Sequence, residues 1–255
     1  MAVNYNRLAD RFDERYEHQT FPGIQAYLRK LVGASGIDVL EVGCGTGHWL
    51  SALRDQAATL LGIDPSAAML DKARSRAPGV TVVCGSAEAL PFSSNLLDLV
   101  FCVNAFHHFS DPKKFLEDCR LVLRKAGRLV IIGLDPHVPE TKWYLYDYFP
   151  GVKEKDLERY LSHKEIGRLM TESGFQNVVT VPTERIQKTF LGKAVLGDPF
   201  LERASTSQLQ LISESSYLRG KGKIASLVED LGHNERTLSF DVDLTLFASL
   251  GEVNG

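Results

Sequence analysis

VLEVGCGTG, at residues 39–47, ends an apolar segment with three glycines in five positions. The residues before the glycines have the composition of a strand that helices cover on both faces. After the glycines, Trp49, Leu50 and Leu53 recur at helical spacing. Glycine permits positive φ and carries no Cβ, so a ligand can lie directly against backbone amides at the start of the helix. The stretch therefore predicts a ligand-binding strand-turn-helix unit, although a tight connection without a ligand has the same local pattern.

The composition is that of an ordinary globular protein. The chain has 255 residues, 44% of them hydrophobic and 24% charged, which is enough for one domain with insertions. Its formal net charge of -3 supplies no basic excess to neutralise phosphates, so no nucleic-acid partner is expected. The cysteines, at positions 44, 84, 102 and 119, include no C-x-x-C pair, which favours reduced thiols and predicts no metal site.

The sequence offers no membrane or export signal. No apolar run reaches the length of a membrane span, and the first residues lack signal-peptide character. The cytoplasm is therefore the expected location, with no membrane span.

Strand and helix patterns alternate after the glycine turn. Apolar strand segments occur at 58–63, 80–83, 96–103 and 128–134. Ser66 is predicted to cap the helix after the first of these, and Ser110-Asp111-Pro112 to open the helix after the third. Strands that alternate with helices over short connections predict a parallel sheet with right-handed crossovers. The expected fold is α/β and Rossmann-like, with helices on both faces of the sheet.

Polar side chains follow the predicted strands at the edge where an open sheet of this kind binds ligands. Glu41 precedes the glycine turn, and Asp64 follows the second strand, where a carboxylate can accept hydrogen bonds from both hydroxyls of a ribose. Ser86 follows the third strand, and Asn104 the fourth. The pattern indicates a ligand that contains adenosine. A dinucleotide site is disfavoured because the glycine spacing is G-x-G-x-G, and no Lys-Ser or Lys-Thr pair supports a P-loop.

Several of these segments together resemble one family. The matching segments are the opening pattern of residues 5–13, then residues 39–47, GIDPS with Met69 and Leu70 (62–70), AEALPF (87–92) and NAFHHF (104–109). They closely resemble, in order, the motifs of the class I S-adenosylmethionine-dependent methyltransferases, in the small-molecule branch called type 11. The resemblance implies a seven-stranded sheet whose last strand is antiparallel, S-adenosylmethionine as the cofactor, and transfer of its methyl group to a small-molecule acceptor.

The resemblance also implies a set of cofactor-binding residues: Tyr5, Glu41, Gly43, Cys44, Gly45, Asp64, Pro65, Met69, Ser86, Ala87 and Asn104. The backbone of the glycine turn is expected to face the methionine part of the cofactor, with Glu41 fixing its amino group and Asn104 lying near the sulfonium. Asp64 is expected to hold the ribose, and Pro65 and Met69 to flank the adenine.

Ser86 departs from the family pattern, which usually has an acidic residue there to accept a hydrogen bond from the adenine amino group. A hydroxyl also accepts, but a neutral bond is weaker than a charge-assisted one. The sequence thus predicts weaker or differently oriented adenine binding, not its loss, and an increase in cofactor affinity for Ser86→Asp.

Beyond the core, the predicted organisation is a single domain, 1–255, in five segments: N-terminal helices in 1–36 (helices at 4–18 and 24–32), the cofactor-binding core in 37–134, cap insertions in 135–161 and 183–236, and the last strand in 237–250. Between the insertions, Ser162 and Glu165 predict a capping box, followed by a strand at 175–181. Tyr144, Tyr146, Tyr148 and Phe149 suggest an apolar or aromatic acceptor, or else core packing or a subunit contact. Monomer and homodimer both remain open.

The predicted reaction is an in-line displacement, in which the enzyme mainly aligns the acceptor and excludes water. A general base is needed only if the acceptor loses a proton. His107 and His108 are the candidate catalytic residues, since histidine titrates near neutral pH, but packing or shaping of the cofactor site is the favoured explanation of such a pair. Two other functions stay open: a cofactor-binding protein without turnover, and a methyltransferase acting on RNA or protein.

Overall fold

The computed structural model describes residues 13, 19–34, 36–203, 205–230 and 238–255. Nearly all of the predicted helix at 4–18, including Tyr5, therefore lies outside the described residues. The chain forms two compact units. The core unit comprises the described residues within Phe21–Leu134, Leu161–Glu184 and Leu246–Gly255, and the insertion unit comprises those within Met1–Thr20, Asp135–Tyr160 and Arg185–Thr245.

The strands are β1 (Asp38–Val42), β2 (Thr59–Asp64), β3 (Thr81–Cys84), β4 (Leu97–Val103), β5 (Leu123–Leu134), β6 (Lys142–Trp143), β7 (Gln176–Leu191) and β8 (Ser239–Glu252). The helices are α1 (Pro22–Val32), α2 (His48–Leu53), α3 (Ala67–Arg76), α4 (Pro112–Val122), α5 (Tyr144–Tyr148), α6 (Val152–Arg159), α7 (His163–Glu172), α8 (Ser207–Gln210) and α9 (Glu214–Asp230). Short 3-10 helices occupy Phe106–His108, Gly192–Gly197 and Pro199–Leu201.

The sheet of the core unit has the predicted topology. Its strands follow the order β3-β2-β1-β4-β5-β8, and β7 pairs with β8. The pairs among β1 to β5 are parallel, whereas β8, the last strand, runs antiparallel to β5. The mostly parallel Rossmann-like fold is therefore confirmed.

Local signals placed the helix starts of the core unit correctly. The Ser66 hydroxyl accepts a hydrogen bond from the Met69 amide at the start of α3. Asp111 caps α4, with Pro112 in its first turn. Ser162 and Glu165 form the complete predicted capping box of α7. Each signal was readable because its partners are within a few residues of one another in the sequence.

Two strands are longer than predicted. β5 begins at Leu123, not Arg128, because Leu123 pairs with Leu97 before a register shift, and Ala126 has a positive φ of 59° within that shift. β7 continues to Leu191, so the insertion predicted to begin at residue 183 begins instead with strand. Its second half is polar because cross-strand polar pairs support it: in the insertion unit, the Arg185 guanidinium donates to Asp243 over 2.8 Å.

Aromatic side chains build the interior of the insertion unit. Tyr144 and Phe149 are buried, the Tyr144 hydroxyl donates to Asp198 over 2.5 Å, and Phe149 stacks on Tyr217. These two residues are thus core residues, one of the interpretations that the sequence left open, whereas Tyr146 and Tyr148 are partly exposed. Within the described residues, no helix has the length and apolar character needed to cross a membrane.

Candidate functional site

The carboxyl ends of four neighbouring strands bring the predicted site residues to one edge of the core sheet. Register pairs place Val42 beside Ile63, and Asp64 beside Cys84. The glycine turn after β1, Asp64 at the end of β2 and the segment after β3 therefore lie next to one another. β4 pairs with the other side of β1, so the segment that begins at Asn104 adjoins the same edge.

The amides of the glycine turn already have partners within the protein. The Gly43 and Cys44 amides donate to the Ile63 carbonyl over 2.8 and 3.1 Å. The Gly45 amide donates to Asp64 Oδ2 over 2.9 Å. These three hydrogen bonds join the turn after β1 to the end of β2. The predicted contact of a ligand with the backbone of this turn stays a prediction.

The turn requires glycine for close packing as well as for backbone shape. Gly43 has a φ of 73°, and a Cβ built there would lie 2.5 Å from the Cβ of Ala105. Gly47 has a φ of 76°, and its Cβ would lie 3.0 Å from the backbone of Ala73. Any other residue at these positions would be strained and would displace the segment after β4 or helix α3.

Glu41 is a buried carboxylate with an unpaired oxygen. Only 1% of the residue is exposed, and Oε2 has no hydrogen-bond partner among the described residues. Burial, together with the charge of Asp64, raises the pKa of Glu41 well above its ordinary value. A buried charge without a partner is costly, so this oxygen is a strong candidate to contact a cationic ligand group.

Asp64 is the last residue of β2, and its carboxylate accepts hydrogen bonds from the segments after β1 and β2. Its Oδ1 accepts from the Ser66 amide over 2.8 Å, while Oδ2 accepts from Gly45. Burial raises the pKa of Asp64, although both amides oppose that rise. Each carboxylate oxygen has a second lone pair, so the same side chain can still accept from ligand hydroxyls.

Ser86 belongs to a small network after β3 that the sequence did not reveal. Its hydroxyl donates to Oε2 of Glu88, and the Glu88 amide donates back to Ser86 Oγ over 3.3 Å. The other oxygen of Glu88 accepts from the Ser110 amide over 2.7 Å, just before α4. Ser110 is 22 residues further along the chain, which explains why no local pattern announced this contact.

The segment after β4 begins at Asn104, whose φ of 50° is unusual for a residue other than glycine. Its amide donates to the Ile132 carbonyl over 2.8 Å, which ties the segment to β5. His107 and His108 follow in a 3-10 helix, with ring centroids 4.0 Å apart. His107 is partly buried and His108 is exposed. A catalytic role for either histidine stays a prediction.

The remaining predicted contacts differ in exposure. Pro65 is exposed, whereas Met69 and Ala87 are buried. Cys44 is also buried, and burial, with the charges of Glu41 and Asp64, raises the pKa of its thiol. The Cys44 side chain is therefore an unreactive packing group, since thiolate is the reactive form.

Comparison with known proteins identifies the family. Residues 40–131 match the family model described as a methyltransferase domain. A demethylmenaquinone methyltransferase of Thermotoga maritima is 30% identical over 200 residues, which cover 68% of this chain and 86% of that protein. The chain belongs to the class I S-adenosylmethionine-dependent methyltransferases.

Two further relatives of this methyltransferase show how far the likeness extends. A ubiquinone biosynthesis O-methyltransferase of Coxiella burnetii is 27% identical over 124 residues, 47% of this chain and 52% of that protein. A solved structure of a suspected methyltransferase from an antibiotic biosynthesis pathway of Anabaena variabilis has a TM-score of 0.70 at 23% identity, covering 90% of this chain and 97% of that one. The structural likeness shows the fold. The enzyme class and its cofactor, S-adenosylmethionine, are as the sequence predicted.

The residues of this methyltransferase fit its cofactor. S-adenosylmethionine carries a positively charged ammonium and sulfonium, a ribose diol and an adenine. Glu41 supplies a buried carboxyl oxygen that has no partner among the described residues, and Asp64 supplies acceptor capacity one strand away. Among the described residues, no cluster of three or more histidine, cysteine, aspartate or glutamate side chains has metal-binding geometry.

Proposed function

We propose that this methyltransferase acts on a small molecule with an aromatic or quinone-type ring. The observation that carries the proposal is the similarity to the demethylmenaquinone methyltransferase, 30% identical along 86% of that protein's length. The ubiquinone O-methyltransferase supports the same acceptor class. A net charge of -3 disfavours RNA as the acceptor, since RNA binding depends on basic residues that neutralise phosphates.

The proposed cofactor position follows the order of the strands. Glu41 binds the ammonium group, because an ion pair would satisfy Oε2, the one carboxylate oxygen among the buried side-chain atoms that lack a partner in the described residues. Asp64 binds the ribose diol at the end of the neighbouring strand. With the methionine part between β1 and β4 and the ribose at β2, the adenine extends toward the end of β3, where Ser86 lies. Asn104 lies on the methionine side.

The chemistry requires little from the protein beyond alignment. S-adenosylmethionine supplies a methyl group bonded to a positively charged sulfur, so the leaving group is already activated. The chain's own residues hold the donor and acceptor in line and exclude water. An acceptor that must lose a proton needs a base nearby, and His107 is the more sheltered of the two candidates.

The acceptor class is tested by S-adenosylhomocysteine release with a panel of acceptors. The panel contains reduced naphthoquinols and benzoquinols that lack a ring methyl or O-methyl group, together with tRNA and a mixture of unfolded proteins. We expect release with at least one quinol, and at least tenfold slower release from Glu41→Gln at limiting cofactor. Release with tRNA or protein alone, or cofactor binding without release on any acceptor, would contradict the proposal.

The histidines are tested separately once an acceptor is known. Single-turnover methyl transfer is measured for His107→Ala and His108→Ala across the neutral pH range. Loss of a base near neutral pH is expected to lower the rate by about a hundredfold or more for His107→Ala and to remove one limb of the pH profile. His108→Ala is the matched control, because its ring lies beside the first but is exposed. Equal small effects with unchanged pH profiles would show that neither ring is a base.

A further inference from the structure

The network around Ser86 gives its hydroxyl a fixed direction. We propose that Glu88 holds the proton of the Ser86 hydroxyl, so that Ser86 presents only acceptor lone pairs and selects a base with an amino group at this position. Glu88 is then a positioning residue that determines the specificity for adenine. The inference rests on the proposed placement of the adenine beside Ser86.

Three hydrogen-bond donors hold Oε1 of Glu88, the carboxylate oxygen that does not bond to Ser86. Oε1 accepts from the Ser110 amide over 2.7 Å, the Ser110 hydroxyl over 3.0 Å and the Asp111 amide over 3.4 Å. Burial would raise the pKa of Glu88, but hydrogen bonds from Ser86, from its own backbone and from Ser110 lower it overall. The side chain is therefore an anchored carboxylate at neutral pH, and a carboxylate accepts hydrogen bonds but cannot donate them.

The direction of the Ser86 hydrogen bond follows from that charge. A hydroxyl has one proton and two lone pairs, and its proton normally rotates to suit the partner. Here Oε2 of Glu88 takes the proton, and the Glu88 amide points at the oxygen from 3.3 Å. What remains for a third group is acceptor capacity, strengthened because the hydroxyl is polarised by an anion.

Ser86 therefore distinguishes between ligand bases by the exocyclic group that faces its hydroxyl. An amino group donates and matches the remaining lone pair. An oxo group at the same position also accepts, so it would leave two acceptors facing each other. Ser86 lies two residues past Cys84, the register partner of Asp64, and the Gly85 amide donates to the Asp64 carbonyl over 3.2 Å. The Ser86 hydroxyl is thus held close to Asp64, the residue whose carboxylate is proposed to bind the ribose.

The network also changes the expectation for Ser86→Asp. An aspartate there would face Glu88 within hydrogen-bonding distance, and two carboxylates that close repel each other, with one pKa strongly raised. The gain in affinity predicted from sequence is therefore expected only when Glu88→Gln accompanies Ser86→Asp.

Glu88→Gln is expected to reverse the direction of the Ser86 hydrogen bond. The amide oxygen of the glutamine is needed where three donors converge, so its NH2 group faces Ser86. The hydroxyl then accepts from that NH2 group and turns its own proton toward the ligand. The variant keeps the acceptor that holds Ser110, so the start of α4 is preserved.

The test compares S-adenosylhomocysteine with S-inosylhomocysteine, which has an oxo group in place of the amino group, by titration calorimetry. The measured ratio is the affinity for the adenosyl compound divided by the affinity for the inosyl compound. This ratio is expected to be about ten in the wild type, and close to one or below it in Glu88→Gln. Glu117→Gln is the matched control, because it removes an exposed charge on α4 without touching Ser86, and it should leave the ratio unchanged.

The outcomes separate the inference from the proposed site. If Glu88→Gln weakens both compounds equally while Ser86→Ala lowers the ratio, the adenine is where we place it but Glu88 does not select it. If Ser86→Ala leaves the ratio unchanged, the proposed adenine position is wrong and the inference falls with it. If the wild type binds neither compound, the proposed cofactor site itself fails. A fall in the ratio for both Glu88→Gln and Ser86→Ala, but not for Glu117→Gln, supports the inference.

Discussion

Among the described residues, Glu41 and Asp156 are the most deeply buried carboxylates of the core unit and the insertion unit, and they differ in whether both oxygens have a partner. In the insertion unit, Asp156 is fully buried, and its oxygens accept from Tyr146 over 2.9 Å and from Arg159 over 2.9 and 3.0 Å. In the core unit, Glu41 is 1% exposed and one oxygen has no partner among the described residues. A fold that can satisfy one buried acid and leaves the other incomplete points to a ligand as the missing partner.

The electrostatics of the two sites agree with that contrast. Burial raises the pKa of both groups. For Asp156 the nearby Arg159 charge and hydrogen bonds from Arg159, Tyr146 and Gln208 oppose the rise. For Glu41 the second contribution is the Asp64 charge, which adds to the rise. The neighbours of Asp156 thus offset part of the effect of burial on its pKa, whereas Asp64 adds to that effect at Glu41, so that Glu41 favours protonation until a cation binds.

The largest expected effect is on the satisfied acid. Asp156→Ala leaves the Arg159 guanidinium buried without its anion, and we expect a loss of about 3–5 kcal/mol in the free energy of unfolding of the insertion unit. Denaturant unfolding followed by circular dichroism measures the loss. Glu158→Ala, on the same helix but exposed, should change stability by less than about 0.5 kcal/mol. A loss for Asp156→Ala no larger than for this control would show that the cluster is not structural.

The unsatisfied acid should behave in the opposite way. Glu41→Gln replaces a buried carboxyl group, whose charged form has no partner for Oε2 among the described residues, by a neutral amide, so the ligand-free variant is expected to be at least as stable as the wild type. Its affinity for S-adenosylhomocysteine should fall about 30-fold, equivalent to about 2 kcal/mol, because the ammonium group loses its anion. Calorimetric titration and ligand-free unfolding are measured on the same preparation. A variant that is destabilised while its affinity is unchanged would reverse the roles assigned to the two acids.

The same contrast explains what the sequence could and could not predict. The glycine turn, the Ser66 cap and the Ser162–Glu165 capping box are local, and the family motifs carry Glu41 and Asp64 within them. Asp156, by contrast, depends on Tyr146 and on Gln208, which is far along the chain. Side chains that meet only after folding leave no periodic pattern in the sequence. Glu88 was missed for that reason, and the polar half of β7 was missed because its support is cross-strand pairing, not burial.

The pH dependence of cofactor binding reports the protonation state of Glu41, the buried acid whose oxygen lacks a partner among the described residues. In the ligand-free protein the pKa of Glu41 is raised above its unfolded value near 4.5, so the native state binds more protons than the unfolded state between these two values. The contribution of Glu41 to the stability of the ligand-free protein therefore falls as the pH rises between these two pKa values. A cationic ligand prefers the ionised carboxylate, so affinity should rise with pH by at most about tenfold per pH unit until Glu41 is ionised.

This dependence is measured as the S-adenosylhomocysteine affinity of wild type and Glu41→Gln at a series of pH values. The difference between the two proteins isolates the contribution of Glu41 from that of Asp64, whose pKa is also raised by burial. The pH slope should be smaller in Glu41→Gln. Parallel curves would assign the slope to another group and weaken the case that Glu41 contacts the ammonium.

The smallest expected effect is the loss of stability when an exposed ion pair is broken. It separates the contribution of ion pairing to stability from the contribution of burial. Arg168 and Glu172 on α7 form an ion pair of 2.7 Å, but their side chains are 62% and 55% exposed. Water already solvates both charges, so Arg168→Ala should cost only about 0.3–0.5 kcal/mol, and less at high salt. Denaturant unfolding at low and high salt measures it, with Glu172→Ala as the companion variant. A cost equal to that of Asp156→Ala would mean that pairing alone determines these energies, and the unpaired oxygen of Glu41 would then no longer indicate a ligand.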